Sequence, residues 1–167
     1  MNYFRHRYTG LPALALLVAA AGCSSADAGA RVAVPSPGAK AAGLCQDLDE
    51  ALPGKLDGLS REDPEPRSAL TAAWGGSAII LRCGVEQPPK MTDPKVATGG
   101  DPDAVAGGVN GVDWLMERAD GDGAYRFTTA NRLAYVEVTV AAGRDSSAVL
   151  IDLAGAVRKA VPEGIAD

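Results

Sequence analysis

Histidine is the residue this chain has least of: among 167 residues only His6 is one, and it falls near the start. If that start is cleaved, as the leader described below predicts, no side chain remains that titrates unperturbed near neutral pH. The commonest metal ligand is lost with it. Serine triads, Cys–His dyads and HExxH-type zinc sites are thereby excluded, so no catalytic residue, metal site or cofactor is expected. Aromatic residues are also scarce, with only Trp74, Trp114, Tyr125, Phe127 and Tyr135 beyond residue 22. Clusters of Lys and Arg are missing, and the 16 basic side chains are outnumbered by 21 acidic ones. That balance argues against nucleic acid and against a polybasic footprint on a membrane surface. Long apolar runs are absent too. The stretch from Leu11 to Ala21 holds about eleven apolar residues, too few to cross a bilayer as a stable helix.

What the start does contain is a three-part leader. Arg5, His6 and Arg7 precede the apolar stretch, and Leu16-Leu17-Val18-Ala19-Ala20-Ala21-Gly22-Cys23 closes it. The small residues Ala20, Ala21 and Gly22 let the backbone enter a signal peptidase groove, and the following thiol is where a bacterial lipoprotein receives its diacylglyceryl group. The pattern predicts a signal peptide over 1–22, a lipid anchor on Cys23 and a location outside the cytoplasm, tethered to the cytoplasmic membrane. Two acyl chains anchor firmly where one binds only marginally. The alternative is ordinary secretion as a soluble protein, because Ala26-Asp27-Ala28 also satisfies the small-x-small rule for cleavage.

Cysteine arithmetic favours the anchor. With Cys23 lipidated, Cys45 and Cys83 remain as an even pair able to form one disulfide. They stand 38 positions apart with no CxxC spacing, which reads as a staple rather than a redox or metal pair. Cleavage removes two basic side chains and no acidic one, leaving 14 against 21 and a formal charge of −7.

Residues 23–40 are small, with two prolines and no large apolar residue beyond valine, and read as a tether that cannot bury enough surface to fold. Residues 41–164 have the size of one domain with one core. Leu44, Leu48, Ala51 and Leu52 recur at helical spacing before Pro53-Gly54, which predicts a helix over 42–52. Ser77 to Val85 alternates, with Ile79, Leu81, Cys83 and Val85 on a buried side, and reads as a strand. Residues 86–108 carry four prolines and two Gly-Gly pairs and are expected to be a long irregular loop. A three-strand meander follows over 111–118, 124–129 and 133–140, with Asp120-Gly121-Asp122-Gly123 as its first turn. A last helix begins at Asp145 or Ser146, carries Val149, Leu150, Leu153, Val157 and Val161, and stops at Pro162. A short helix is also expected over 67–73. The order predicts an α+β fold: a four-stranded, mostly antiparallel sheet with one face covered by the N- and C-terminal helices, closed by one disulfide.

The other face of that sheet would present Arg82, Leu115, Glu117, Arg126, Tyr135, Glu137 and Thr139. Cross-strand ion pairs on a solvated surface explain such a mixture. A face for docking an envelope protein explains it as well, since Arg and Tyr are enriched where proteins meet, and Arg82, Glu117, Arg126, Tyr135 and Glu137 are its candidates. A small-ligand pocket is a second reading, lined by Trp74, Trp114 and the 86–108 segment, although both tryptophans also suit a core poor in aromatics. A third is hydrolysis of wall glycan by Glu117 and Glu137, expected two strands and about 9.6 Å apart. An open sheet face would not raise one carboxyl's pKa as an acid catalyst requires.

Trp74-Gly75, Leu81-Arg82-Cys83-Gly84, Asp113-Trp114 and Arg132 leading into Tyr135-Val136-Glu137-Val138 together resemble the motifs of domain of unknown function family 3515. The resemblance covers about 44–160. It implies an actinobacterial envelope protein, often a lipoprotein, with Cys45 paired to Cys83 and no catalytic residues to carry over. A gene neighbourhood shared with D-alanyl-D-alanine ligation and thiamine phosphate kinase adds an associational pointer to the cell wall. Where family members follow the last strand with proline, this chain has Ala141-Ala142, and its 86–108 stretch is individual.

Overall fold

The computed structural model describes residues 29–119 and 123–166. The leader, Cys23 and the expected turn residues Asp120-Gly121-Asp122 lie outside the described residues.

Helix α1 spans Ala39–Ala51, where strong helix formers run between Pro37-Gly38 and Pro53-Gly54 and bury Cys45 and Leu48. Four short elements follow: β1 Lys55–Leu56, β2 Leu59–Glu62, β3 Thr71–Trp74 and β4 Ile79–Cys83. A 3₁₀ turn over Pro89–Thr92 leads into the four-residue helix α2, Pro94–Ala97, whose first turn is capped by the Asp93 carboxylate accepting the Lys95 N–H. Then come β5 Ala104–Val109, β6 Val112–Arg118, β7 Tyr125–Ala130 and β8 Val136–Val140. Helix α3, Ser146–Ala160, begins where the Asp145 carboxylate accepts the Ala148 N–H at 3.1 Å.

The strands form one antiparallel sheet in the order β1-β2-β3-β4-β8-β7-β6-β5. The mixed α/β class, the antiparallel sheet and the Cys45–Cys83 disulfide are as expected, but the sheet has eight strands and not four. Each missing strand has a physical reason. β3 replaces the short helix expected over 67–73; its four residues Thr71-Ala72-Ala73-Trp74 are all buried, because neighbours on both sides and layers on both faces leave no alternation to read. β1 and β2 are only two and four residues long and are closed by Asp57-Gly58, both at positive φ (47° and 76°). β5 lies inside the segment expected to be irregular and joins β6 through Asn110-Gly111, at φ 47° and 77°, the backbone that a tight hairpin demands.

One face carries the core. Ile79, Leu81, Cys83, Val136, Val138, Val140, Val112 and Trp114 meet Leu48 of α1 and Val149, Leu153 and Val157 of α3 there. The disulfide ties α1 to β4 within this core, with 5.5 Å between the two Cα atoms and both cysteines at most 1% exposed. The second face is roofed at two places by segments expected to be irregular, the tether and the 86–108 loop. Residues 29–38 do not hang free: Val32 is buried and donates its N–H to Glu65 O at 3.0 Å, while Glu65 N–H returns to Ala30 O at 2.8 Å. Pro37 presses so closely on Gly84 that a Cβ there would stand 2.5 Å from its Cγ, and Gly84 also takes φ +83°. Over the β5–β6 side, Met91 and Val96 lie on Ala104 and Leu115 in a small satellite core.

Candidate functional site

The second face is where the candidate residues gather, and the register says which of them meet. Arg82 on β4 stands opposite Glu137 on β8, and Arg126 on β7 stands opposite Glu117 on β6. Arg82 Nη1 donates to Glu137 Oε1 at 3.2 Å, and its Nε donates to the Ala33 carbonyl at 3.1 Å. One guanidinium thus joins β8 to the incoming N-terminal segment. Arg126 Nε lies 3.6 Å from Glu117 Oε2. Glu117 is only 8% exposed, so it is not part of an open surface; Ala104 pairs across from it on β5, and Leu115 beside it is roofed by Val96.

Arg82, Tyr135 and Glu137 do come together. They line an open groove of about 730 Å3 with Pro35, Pro37, Glu86 and Gln87. β4 and β8 position the first and last of these, because alternation turns Arg82 and Glu137 away from the core while Leu81 and Val138 turn into it. Tyr135 stands one residue ahead of β8. The prolines come from the 29–38 segment, whose place in the fold depends on the Arg82–Ala33 bond and on the absence of a side chain at Gly84. The groove is therefore a junction between the sheet and the chain's own N-terminal segment. Sequence reasoning missed the second component, since a run rich in Pro and Ala carries no periodic signal of where it docks.

Both tryptophans belong to the core, but only one of them also borders a cavity. Trp74 is fully buried, its Nε1 donating to Pro53 O at 3.1 Å, and it belongs to the core. Trp114 lies four strands away in the sheet order, about 19 Å by strand spacing. It borders a cavity of about 380 Å3 with Met91, Val96, Gly107, Gly108 and Leu115. Trp114 and the 86–108 segment thus border one cavity, and Trp74 does not. As for the carboxylates, Glu117 faces Arg126 and Glu137 faces Thr128, so the pair is two strands apart and also two residues out of step, further than expected. Each is paired with an arginine.

Two further groups had no role assigned from the sequence, although Arg132 stands among the motif residues. Arg132 is 4% exposed and donates from Nη1 to Val161 O at 3.0 Å and from Nη2 to Gly111 O at 2.6 Å. It thereby closes the end of α3 onto the β5–β6 turn. Asp101 accepts the Asp103 N–H at 2.8 Å and Lys90 Nζ at 3.2 Å. The first bond, with help from Lys90, holds its carboxyl below the ordinary value of 3.8. Both partners lie in the segment that roofs β5 and β6, so this carboxylate organises the roof. Among the described residues no group of three or more His, Cys, Asp and Glu side chains is arranged to hold a metal ion.

Fold and groove together define a disulfide-stapled α+β domain with a polar groove where the sheet meets its N-terminal segment. A family model matches residues 9–166, and the chain belongs to that family, described as Protein of unknown function (DUF3515). No curated protein and no solved structure matches the chain.

Proposed function

We propose that this is an exported envelope protein, lipid-anchored at Cys23 on the outer face of the cytoplasmic membrane, where it binds a partner protein in an accessory role linked to the cell wall. The docking site is the groove lined by Arg82, Tyr135 and Glu137. The observation that carries this reading is the make-up of that groove: a cross-strand ion pair, a tyrosine and two prolines in one open concavity. Tyrosine and arginine are what protein interfaces favour, and proline presents apolar surface with little entropy left to lose.

Its position supports the same reading. Because Ala30 already accepts the Glu65 N–H, only residues 24–29 separate the lipid site from the packed segment. Six residues reach at most about 20 Å however they are arranged. The groove, bordered by Pro35 and Pro37 of that packed segment, would then work close to the bilayer, in range of a membrane-bound partner.

Crosslinked co-purification of tagged protein from intact cells tests this, with Tyr135→Ala and Gln87→Ala combined as the contrast. Arg82 is left in place because it also holds Ala33. An envelope protein captured by the parent and lost in the variant is the expected result; the same proteins captured by both would overturn the groove as the docking site.

A further inference from the structure

β5 is an edge strand with its outer side open. The N–H of Arg118 donates to Asp103 O, so residues 103, 105, 107 and 109 direct their backbone groups to β6. Ala106 and Gly108 direct theirs outward, and no described residue bonds to those four groups. Val105, Ala106, Gly107 and Gly108 are all exposed. The devices that usually blunt an edge are missing here, for Ala104–Val109 contains no Lys, no Pro and no other charge. The opposite edge, β1, is two residues long and begins with Lys55.

We infer that the β5 edge pairs with β5 of a second copy of this chain, antiparallel and centred on Gly107. The sequence from Val105 to Val109, Val-Ala-Gly-Gly-Val, nearly repeats when reversed about its middle. In that register Val105 of each copy meets Val109 of the other, Ala106 meets Gly108, and Gly107 meets itself. Ala106 and Gly108 then exchange N–H and C=O in both directions, filling all four open groups on each copy. Charge is complementary at the ends. Asp103 falls opposite Gly111 of the second copy, against which that copy's Arg158 is packed, its Cδ 3.4 Å from where a Gly111 Cβ would stand. Arg158 makes no ion pair among the described residues, and Asp103 is 61% exposed and only loosely held, at 3.7 Å, by Arg118. Two Asp103–Arg158 pairs would therefore form across the dyad. Six residues of edge bury less than the roughly 1,000 Å2 of a stable solution dimer, so pairing depends on crowding two copies together. A lipid anchor, which belongs to the function proposed above, supplies that confinement.

The register is tested by single cysteines under mild oxidation in intact cells. Cys45 and Cys83 are already bonded to each other. Gly107→Cys has open space for its side chain, with nothing within 4 Å of the new Cβ. Opposite its own counterpart, at the about 4.5 Å Cα separation of a non-hydrogen-bonded pair, it should give a disulfide-linked dimer. Ala106→Cys, two residues out of step with its counterpart, should not. Adding Arg158→Glu to Gly107→Cys should lose the dimer band, and adding Asp103→Lys as well should restore it. No dimer at Gly107→Cys, equal dimer at both positions, or crosslinking only to a different protein would each overturn the inference. Fractionation of the same cells reads the anchor separately. If the protein proves to be released, the same variants purified and concentrated carry the register test without it.

Discussion

Arg132 shows how a single side chain can close a fold. Its guanidinium is buried and bonded to two backbone carbonyls, at the end of α3 and in the β5–β6 turn. Arg132→Gln removes charged donors from two acceptors of which one is buried, which costs about 2–4 kcal/mol; thermal unfolding followed by circular dichroism should show a clear fall in Tm. Gly84→Ala should also destabilise, by at least about 1 kcal/mol, because it strains a positive φ and drives a methyl into Pro37. Its sharper sign is exposure of residues 29–38, read as faster amide exchange at Val32. The ion pair of Arg82 and Glu137 behaves differently. With 33% and 13% of the two side chains exposed, a double-mutant cycle should find a coupling of only about 0.5–1 kcal/mol.

Among the elements, the disulfide and the roof over β5 and β6 have separate thermodynamic roles. Cys45 and Cys83 are 38 residues apart, and closing a loop of that length stabilises by about 4 kcal/mol in the chain-entropy model. Replacing both by alanine should shift denaturant unfolding by about that amount while leaving the far-ultraviolet spectrum of the folded form unchanged. The roof depends instead on Asp101, whose carboxyl is held below 3.8 by the Asp103 N–H and by Lys90. A depressed carboxyl stabilises the folded state above its unfolded value and loses that effect as pH falls through the lower, folded one. Residues 89–103 should therefore stay protected in hydrogen exchange at neutral and mildly acid pH and loosen only below about 3.8. Asp101→Asn should show the loosened exchange already at neutral pH.

For the whole molecule, the few residues of sequence between Cys23 and Ala30 lead to a prediction about reach. If Cys23 bears the lipid, Cys23→Ala should move the protein from the membrane fraction to the medium or leave its leader uncleaved. Inserting a flexible stretch of some twenty residues after Ser25 should then leave anchoring intact but reduce capture of a membrane-embedded partner, since effective concentration falls as a leash lengthens.

Much of the core was legible in the sequence because burial on one side imposes a period. The alternation through Ile79, Leu81 and Cys83 and through Val136, Val138 and Val140, and the helical spacing from Val149 to Val157, mark the buried side without any knowledge of neighbours. Cysteine arithmetic named the staple for an equally local reason, since few pairings are available. Tertiary structure decided the rest. β3 loses its period when both its faces are covered, and β5 contains two glycines that leave no pattern to read. The Asp57-Gly58 and Asn110-Gly111 turns were the available signals for the missing hairpins. The groove depends on contacts between residues as far apart as Ala33 and Arg82, where neither segment's own sequence specifies the other. Local periodicity reports which side of an element is buried; only the packed chain determines what covers it.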